Sequence, residues 1–319
     1  MRVLQKQKDK KFTILHLTDT HLYHGEWIGE KGEHLKRTVD YLVEQAKPDL
    51  ITISGDLAWT GQYDSYTDFA DWMAGYGIPW APVFGNHDDQ GGYEAVCKAA
   101  EILLAKDTCL LEAGDPALGY GNYVVGIEEE GRLIHGVILM DSHDRKPWID
   151  EQGVEQNEWA ELIPAQFPWY RGIIEELKAK GAQETSLIMH IPIYAYRDAI
   201  KAALKAEVDP KAVPLYNGEQ VGCWNEGYED SFGVYREGIC SYPADNGFFE
   251  EILAGGTTKT VISGHDHTNT FSVPYKGVRL TYALKTGHGS YYDERLNGGT
   301  VLTIDSDGRM EVEHCFYLA

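Results

Sequence analysis

Five short polar clusters, each closing an apolar run, carry residue types that bind divalent metals: Asp19-Thr20-His21, Gly55-Asp56, Gly85-Asn86-His87-Asp88, His190 and Gly264-His265-Asp266-His267. Carboxylate oxygens, an amide oxygen and imidazole nitrogens together suit two adjacent cations that activate a water and clamp a phosphate. Asp19 and His21 stand two apart, so both can reach one ion from a loop that has left a sheet. Asp56 follows a glycine turn and is the candidate bridge, because one carboxylate can bind two cations and offset their repulsion. Asn86 adds a neutral oxygen that leaves positive charge available for phosphate. His190 adds an imidazole. His265 and His267, again two apart, can serve one ion each, with Asp266 turned elsewhere. His87 lies beside a ligand without being needed as one, and Asp88 is placed to hold its ring and keep it cationic.

Taken singly, these residues carry little. An Asp or Asn after a strand is ordinarily a turn former, and a lone histidine is ordinarily a satisfied, half-buried one. The joint pattern is what points to metal. His16, His24, His34, His135, His143, His288 and His314 lack partners at useful spacing and are assigned to none.

The clusters need a scaffold that brings five loops together. Lys11 to Leu17, Leu50 to Ser54, Pro79 to Phe84, Leu133 to Met140, Ser186 to Met189 and Thr260 to Ser263 read as buried strands. His34 to Ala46, Tyr93 to Leu104 and Tyr170 to Lys180 have helical spacing between them, with Pro48 and Gly181 as stops. Alternating strands and helices imply an α/β fold, whose ligands gather beyond the carboxyl ends of the strands. Phe271 to Tyr275, Val278 to Leu284, Thr300 to Ile304 and Met310 to Phe316 read as strands that complete a second sheet packed on the first. No repeat or linker interrupts the chain, so 1–319 reads as a single domain. Within it, residues 194–248 form an irregular, aromatic-rich insertion that contains Trp224, Tyr235 and Arg236. This segment reads equally as an aromatic satellite core or as a lid that shapes the substrate site.

The net charge of −22 argues against a general nucleic-acid surface. It allows an anionic substrate, since bound cations dominate their local field. The N-terminal residues are polar, and no apolar run is long enough to span a membrane. Five scattered cysteines without a CxxC pair fit free thiols in a reducing cytoplasm.

The five clusters resemble the D-x-H, GD, GNH(D/E), H and GHxH pattern of the calcineurin-like metallophosphoesterase superfamily, from Asp19 to His267. The resemblance implies a four-layer α-β-β-α sandwich, two mixed sheets flanked by helices, with a dinuclear site at the strand ends. It also implies that Asp19, His21, Asp56 and His267 hold one metal. Asp56, Asn86, His190 and His265 would hold the other, with His87 contacting substrate and protonating the leaving oxygen. Gly55-Asp56-Leu57-Ala58-Trp59 departs from the GDxxDRG of calcineurin-type protein phosphatases. Trp59 also stands where purple acid phosphatases carry a ferric tyrosine ligand. The chain is closer to the plant purple acid phosphatase-like proteins that lack this tyrosine, through Gly121-Asn122-Tyr123, Asp141-Ser142, Glu237-Gly238-Ile239 and Asn246-Gly247-Phe248-Phe249.

The sequence thus predicts a cytoplasmic phosphoesterase with two divalent or mixed-valence transition metals, Mn, Fe or Zn. A metal-bridging hydroxide would attack a phosphomonoester on a small molecule or a phosphoprotein, with His87 and Asp88 catalytic. Trp59, Trp224, Tyr235 and Arg236 are the candidate substrate contacts. A phosphodiesterase acting on cyclic nucleotides or other diesters would use the same core. A silent metal-binding scaffold is the rival of another class, against which retention of His87 argues.

Overall fold

In a computed structural model, which describes residues 1–318 apart from 210, 212, 214, 217 and 221, each run that empties into a ligand cluster forms a strand. The first half contains β1 (Arg2–Gln5), β2 (Phe12–Leu17), α1 (Glu30–Ala46), β3 (Leu50–Ser54), α2 (Tyr63–Gly75), β4 (Trp80–Val83), α3 (Asn86–Asp89) and α4 (Tyr93–Leu104). Next come β5 (Tyr123–Glu129), β6 (Arg132–Leu139), β7 (Arg145–Ile149), β8 (Glu155–Trp159), α5 (Gln166–Ala179), β9 (Glu184–Ile188) and α6 (Ala195–Ala203). The remainder holds β10 (Leu215–Tyr216), β11 (Glu219–Gln220), α7 (Phe248–Gly255), β12 (Thr258–Ser263), β13 (Ser272–Tyr275), β14 (Val278–Tyr282), β15 (Gly298–Ile304) and β16 (Met310–Phe316).

Two mixed sheets form the centre. One has the order β1-β5-β6-β9-β12-β14-β13 and the other β16-β15-β2-β3-β4. Between them, Ile14, Leu302 and Val83 share an apolar cluster with Val125, Val137 and Ile188. The same cluster takes in Leu35, Val39 and Leu42 of α1, whose spacing lays one stripe on the five-stranded sheet. A second cluster, with Tyr170, Ile174, Tyr196, Phe248 and Phe271, fills the outer face of the seven-stranded sheet beneath α5, α6 and α7. The expected four layers result.

Parallel pairing aligns the strand ends. Leu17 lies opposite Ile53 and Ser54 opposite Val83 in one sheet, while Ile188 lies opposite Ile262 in the other. The five loops therefore leave from one edge.

One expectation needs correction, and two elements were not anticipated. The C-terminal strands do not together complete one second sheet: β13 and β14 extend the seven-stranded sheet, whereas β15 pairs antiparallel with β2 in the other. The polar N-terminus holds a strand, β1, which adds to the edge of the sheet opposite the one that β2 joins. Residues 145–159, given no structure from the sequence, form the ribbon β7–β8. An edge strand with one polar face and a ribbon outside both cores have no long apolar run to announce them.

The 194–248 insertion is less irregular than expected, because α6 lies in it with Tyr196, Ala199, Ile200 and Ala203 buried; residues 210, 212, 214, 217 and 221 of it lie outside the described residues. All five cysteines are free. Among the described residues no helix is long and apolar enough to cross a membrane.

Candidate metal centre

The loops after β2 and β3 continue the parallel ladder beyond the sheet. The backbone N–H groups of Asp19, His21 and Leu22 donate to the carbonyls of Gly55, Asp56 and Leu57 at 3.1, 2.9 and 2.9 Å. To fit this path Asp19, His21 and Asp56 adopt left-handed backbone angles, with φ of 55°, 44° and 50°, and His265 follows at 78°. Such conformations cost about 1–3 kcal/mol each and persist only where the surroundings over-determine them. Here the strain falls on candidate ligands.

Asp19, His21, Asp56 and His267 each offer a ligand atom within 4.8 Å of the others, and all four are buried. His267 Nε2 lies 3.2 Å from Asp19 Oδ1 and 3.1 Å from His21 Nε2. Beside this group, His190 Nε2 lies 3.0 Å from Asn86 Oδ1 and 3.2 Å from His265 Nδ1. Asp56 Oδ2 joins the two groups, 3.6 Å from His21 Nε2 and 3.3 Å from His190 Nε2. All seven residues expected as ligands thus come together around the Asp56 carboxylate.

The donor chemistry fits cations. His190 Nδ1 donates to the Ser54 carbonyl at 2.7 Å, and His267 Nδ1 to the Tyr291 carbonyl at 2.7 Å. Those bonds place a proton on Nδ1 of each ring and turn Nε2 into the site. There each Nε2 faces an oxygen, Asn86 Oδ1 for His190 and Asp19 Oδ1 for His267. Burial disfavours a charged His190, yet Asp56 and Asp19 outweigh it and raise the ring to about 9, so the pocket holds positive charge among these donors, which a bound cation would supply in place of the proton. Burial, opposed by Asp56, keeps His21 neutral well below the usual imidazole range, and burial with His190 nearby lowers His265 to about 3. Burial resists ionisation of Asp19, yet His267, His190 and His21 outweigh it and hold its carboxyl well below the usual range.

Lys285, which the sequence reading missed, lies behind the centre. Its buried ammonium donates to the Asp19 carbonyl, and burial lowers it to about 8 against the pull of Asp19 and Asp56. A lone lysine after a strand carries no sequence signal. Tyr291, also missed, stacks on His267 with ring centroids 4.1 Å apart, and its hydroxyl donates to Glu237 at 3.0 Å.

His87 behaves as expected in one respect. It is the partly open group of the set, with 26% of its side chain exposed and Nε2 4.0 Å from Asp56 Oδ2. The expected ion pair with Asp88 is not formed. The buried Asp88 carboxylate instead accepts from Gly85 N at 2.8 Å, Tyr66 Oη at 2.6 Å and the backbone N–H groups of Leu57 and Ala58. Asp88 starts in a helical turn and points back into the loop, away from its neighbour's ring. Gln90, one turn on from His87, takes the partner's place: its side-chain amide lies 2.9 Å from His87 Nδ1. That contact orients the ring with Nε2 toward Asp56.

Of the candidate substrate contacts, Trp59 stands in the site, its ring 4.3 Å from that of His87 and 5.0 Å from that of His21. Trp224 and Tyr235 pack instead against the core cluster under α6, and Arg236 lies 3.7 Å from Asp293.

Gly85 shows how tightly the loops are packed. Its φ of −106° would suit any residue, but a Cβ there would meet Asp56 Oδ1 at 2.3 Å. Gly85→Ala is expected to displace the bridging carboxylate and weaken metal binding by at least about tenfold while the far-ultraviolet dichroism stays native. Unchanged affinity by titration calorimetry would refute this.

Comparison with known proteins agrees with the geometry. The sequence model of the family described as "Calcineurin-like phosphoesterase" matches residues 12–269. "Probable inactive purple acid phosphatase 28" of Arabidopsis thaliana is 24% identical over 90% of this chain and 73% of its own. The "3',5'-cyclic adenosine monophosphate phosphodiesterase CpdA" of Escherichia coli K12 is 31% identical, over 50% of this chain and 66% of its own. Among solved structures, "a dimetal phosphatase from Danio rerio" shares the fold at a TM-score of 0.54 and 11% identity, covering 96% of both chains. With the match spanning most of its length and the metal-binding pattern assembled at one sheet edge, the chain belongs to the calcineurin-like phosphoesterase family.

Proposed function

We propose that the protein is a dinuclear-metal-dependent phosphoesterase that hydrolyses phosphomonoesters, with His87 as general acid. The observation that carries this reading is the position of His87: partly open and 4.0 Å from the Asp56 carboxylate, yet not needed as a ligand. In this reading Asp19, His21, Asp56 and His267 hold one transition metal, and Asp56, Asn86, His190 and His265 the other. When bound, the pair supplies the charge that clamps the phosphoryl oxygens and activates the attacking water. A mixed nitrogen and oxygen donor set suits Mn, Fe or Zn.

The chain's own residues do the rest. His87, carrying both ring protons as the imidazolium, gives its Nε2 proton to the departing oxygen and is left as the neutral ring, while the Gln90 side-chain amide steadies the ring from Nδ1. Trp59 limits the motion of the ring from one side. The plant relative is named inactive, but a silent scaffold would have no use for a general acid at this position. Likeness along 90% of this chain to a purple acid phosphatase-like protein favours monoesters; likeness to the cyclic-nucleotide enzyme covers half of it.

The test is a panel of alkyl and aryl monoesters, linear diesters and cyclic nucleotides presented to the metal-loaded protein. Monoesters should be turned over fastest, chelation should abolish turnover, and metal addition should restore it. Faster turnover of diesters would move the assignment to the diesterase. Two bound ions with no turnover of any ester would move it to the silent metal-binding protein.

A further inference from the structure

The ribbon β7–β8 belongs to neither large sheet, and its two faces have different tasks. Cross-strand pairs place Arg145 opposite Trp159, Lys146 opposite Glu158 and Trp148 opposite Gln156. Residues directly opposite share a face, and alternate residues share it along a strand. Lys146 and Trp148 therefore point one way, Arg145 and Trp159 the other.

The first face anchors the ribbon. Lys146 Nζ lies 4.4 Å above the Tyr242 ring and 2.6 Å from Glu161, and Trp148 meets Tyr242 edge-on at 5.5 Å. The Tyr242 hydroxyl donates to the Pro147 carbonyl at 3.2 Å.

The second face looks at the metal centre. Trp159 meets His265 with ring centroids 4.3 Å apart, and the Arg145 guanidinium lies over the Trp159 ring, 3.4 Å from its centroid. Arg145 is thus one ring beyond a metal-site residue. It is exposed, donates to the Asn157 carbonyl at 3.1 Å, and forms no ion pair among the described residues. In a chain of net charge −22 an uncommitted guanidinium beside the site stands out. Its neighbour Asp144 ties this end of the ribbon to the cleft. Burial raises the Asp144 carboxyl, while Arg145 and His87 both pull it down, so it lies within electrostatic reach of each.

Resting on the phosphoesterase reading, we propose that Arg145 is a specificity residue that recognises a second anionic group, a carboxylate or a further phosphate, on the organic part of the ester. Trp159 stiffens the guanidinium by stacking, so little freedom is lost when its fork closes on two oxygens. The ribbon's anchored face fixes where that second anion must sit relative to the scissile phosphate.

The test compares 4-carboxyphenyl phosphate with its neutral isostere 4-carbamoylphenyl phosphate, using the metal-loaded full chain. The wild type should prefer the carboxylated ester. In Arg145→Ala the ratio of the two kcat/KM values should fall about tenfold, through KM, as expected for loss of one charge-assisted contact at an exposed site. Arg145→Lys should keep part of the preference, because it retains the charge and loses the fork. Equal losses on both esters, or an unchanged ratio, would overturn the proposal. Turnover of the neutral ester by the wild type separately tests the phosphoesterase reading. If neither ester is hydrolysed, the same ratio is read from the two dissociation constants by calorimetry, and a ratio that ignores Arg145 overturns the proposal there too.

Discussion

Asp56→Ala should release both metals together and leave hydrolysis at background. The reason is topological. Asp56 Oδ2 is the oxygen near both His21 and His190, so its loss removes a ligand from each site and also the negative charge that screens one cation from the other. His21→Ala removes a donor from the first group alone and should weaken one site while the second stays loaded. Metal analysis of wild-type protein should show up to two ions per chain, about 3.5–4 Å apart in a structure of the loaded form. Asp56→Ala protein that keeps two ions and normal turnover would remove the bridging assignment.

The second large effect concerns His87. Alkyl phosphates leave as poor alkoxides and need a proton, whereas a nitrophenolate leaves unaided. General acid catalysis is worth about 10²–10⁴-fold. His87→Ala should lose close to that on an alkyl monoester and far less on 4-nitrophenyl phosphate, with metal content unchanged. Equal losses on both would mean that the imidazole binds phosphoryl oxygens instead of protonating the leaving group. Gln90→Ala should give a smaller version of the same asymmetry, since it frees the ring's orientation without removing the ring. Asp88 now falls outside this pattern. Asp88→Ala should act on stability, at about 1–3 kcal/mol or more, because it strands buried donors from Gly85, Leu57, Ala58 and Tyr66; denaturant unfolding measures it.

The parts of this molecule that were legible in the sequence are those written in short-range code. Leu50 to Ser54 is a strand buried along its whole length and announces itself by composition alone. The metal ligands follow such strands at once, so chain position implies spatial position, and all seven expected donors converge. Long-range pairing left no such trace. Nothing local in Gly298–Ile304 says that it will join β2 and not β14, because both partners are apolar strands of similar length. Side-chain direction was the other gap. Asp88 follows His87 directly, and adjacency suggested contact, but successive residues of a helical turn point about 100° apart. Arg145 and Trp159 were silent for a related reason: they meet only after a ribbon forms, and a ribbon outside the core needs no periodic apolar signal.

The Lys285 ammonium holds the Asp19 carbonyl across 266 residues of chain. During synthesis, then, the first ligand loop leaves the ribosome long before the group that secures it. Strand β2 likewise waits for β15 to cover one of its edges. Loop closure on this scale must precede the contacts that reward it. The pocket therefore has no finished form until the chain has been made past Lys285, and its charge balance is set only then. Any ion captured earlier would meet Asp19, His21 and Asp56 on unsecured loops, without His265 or His267. The full donor set therefore assembles only when the segment carrying His265, His267 and Lys285 folds against the first ligand loop.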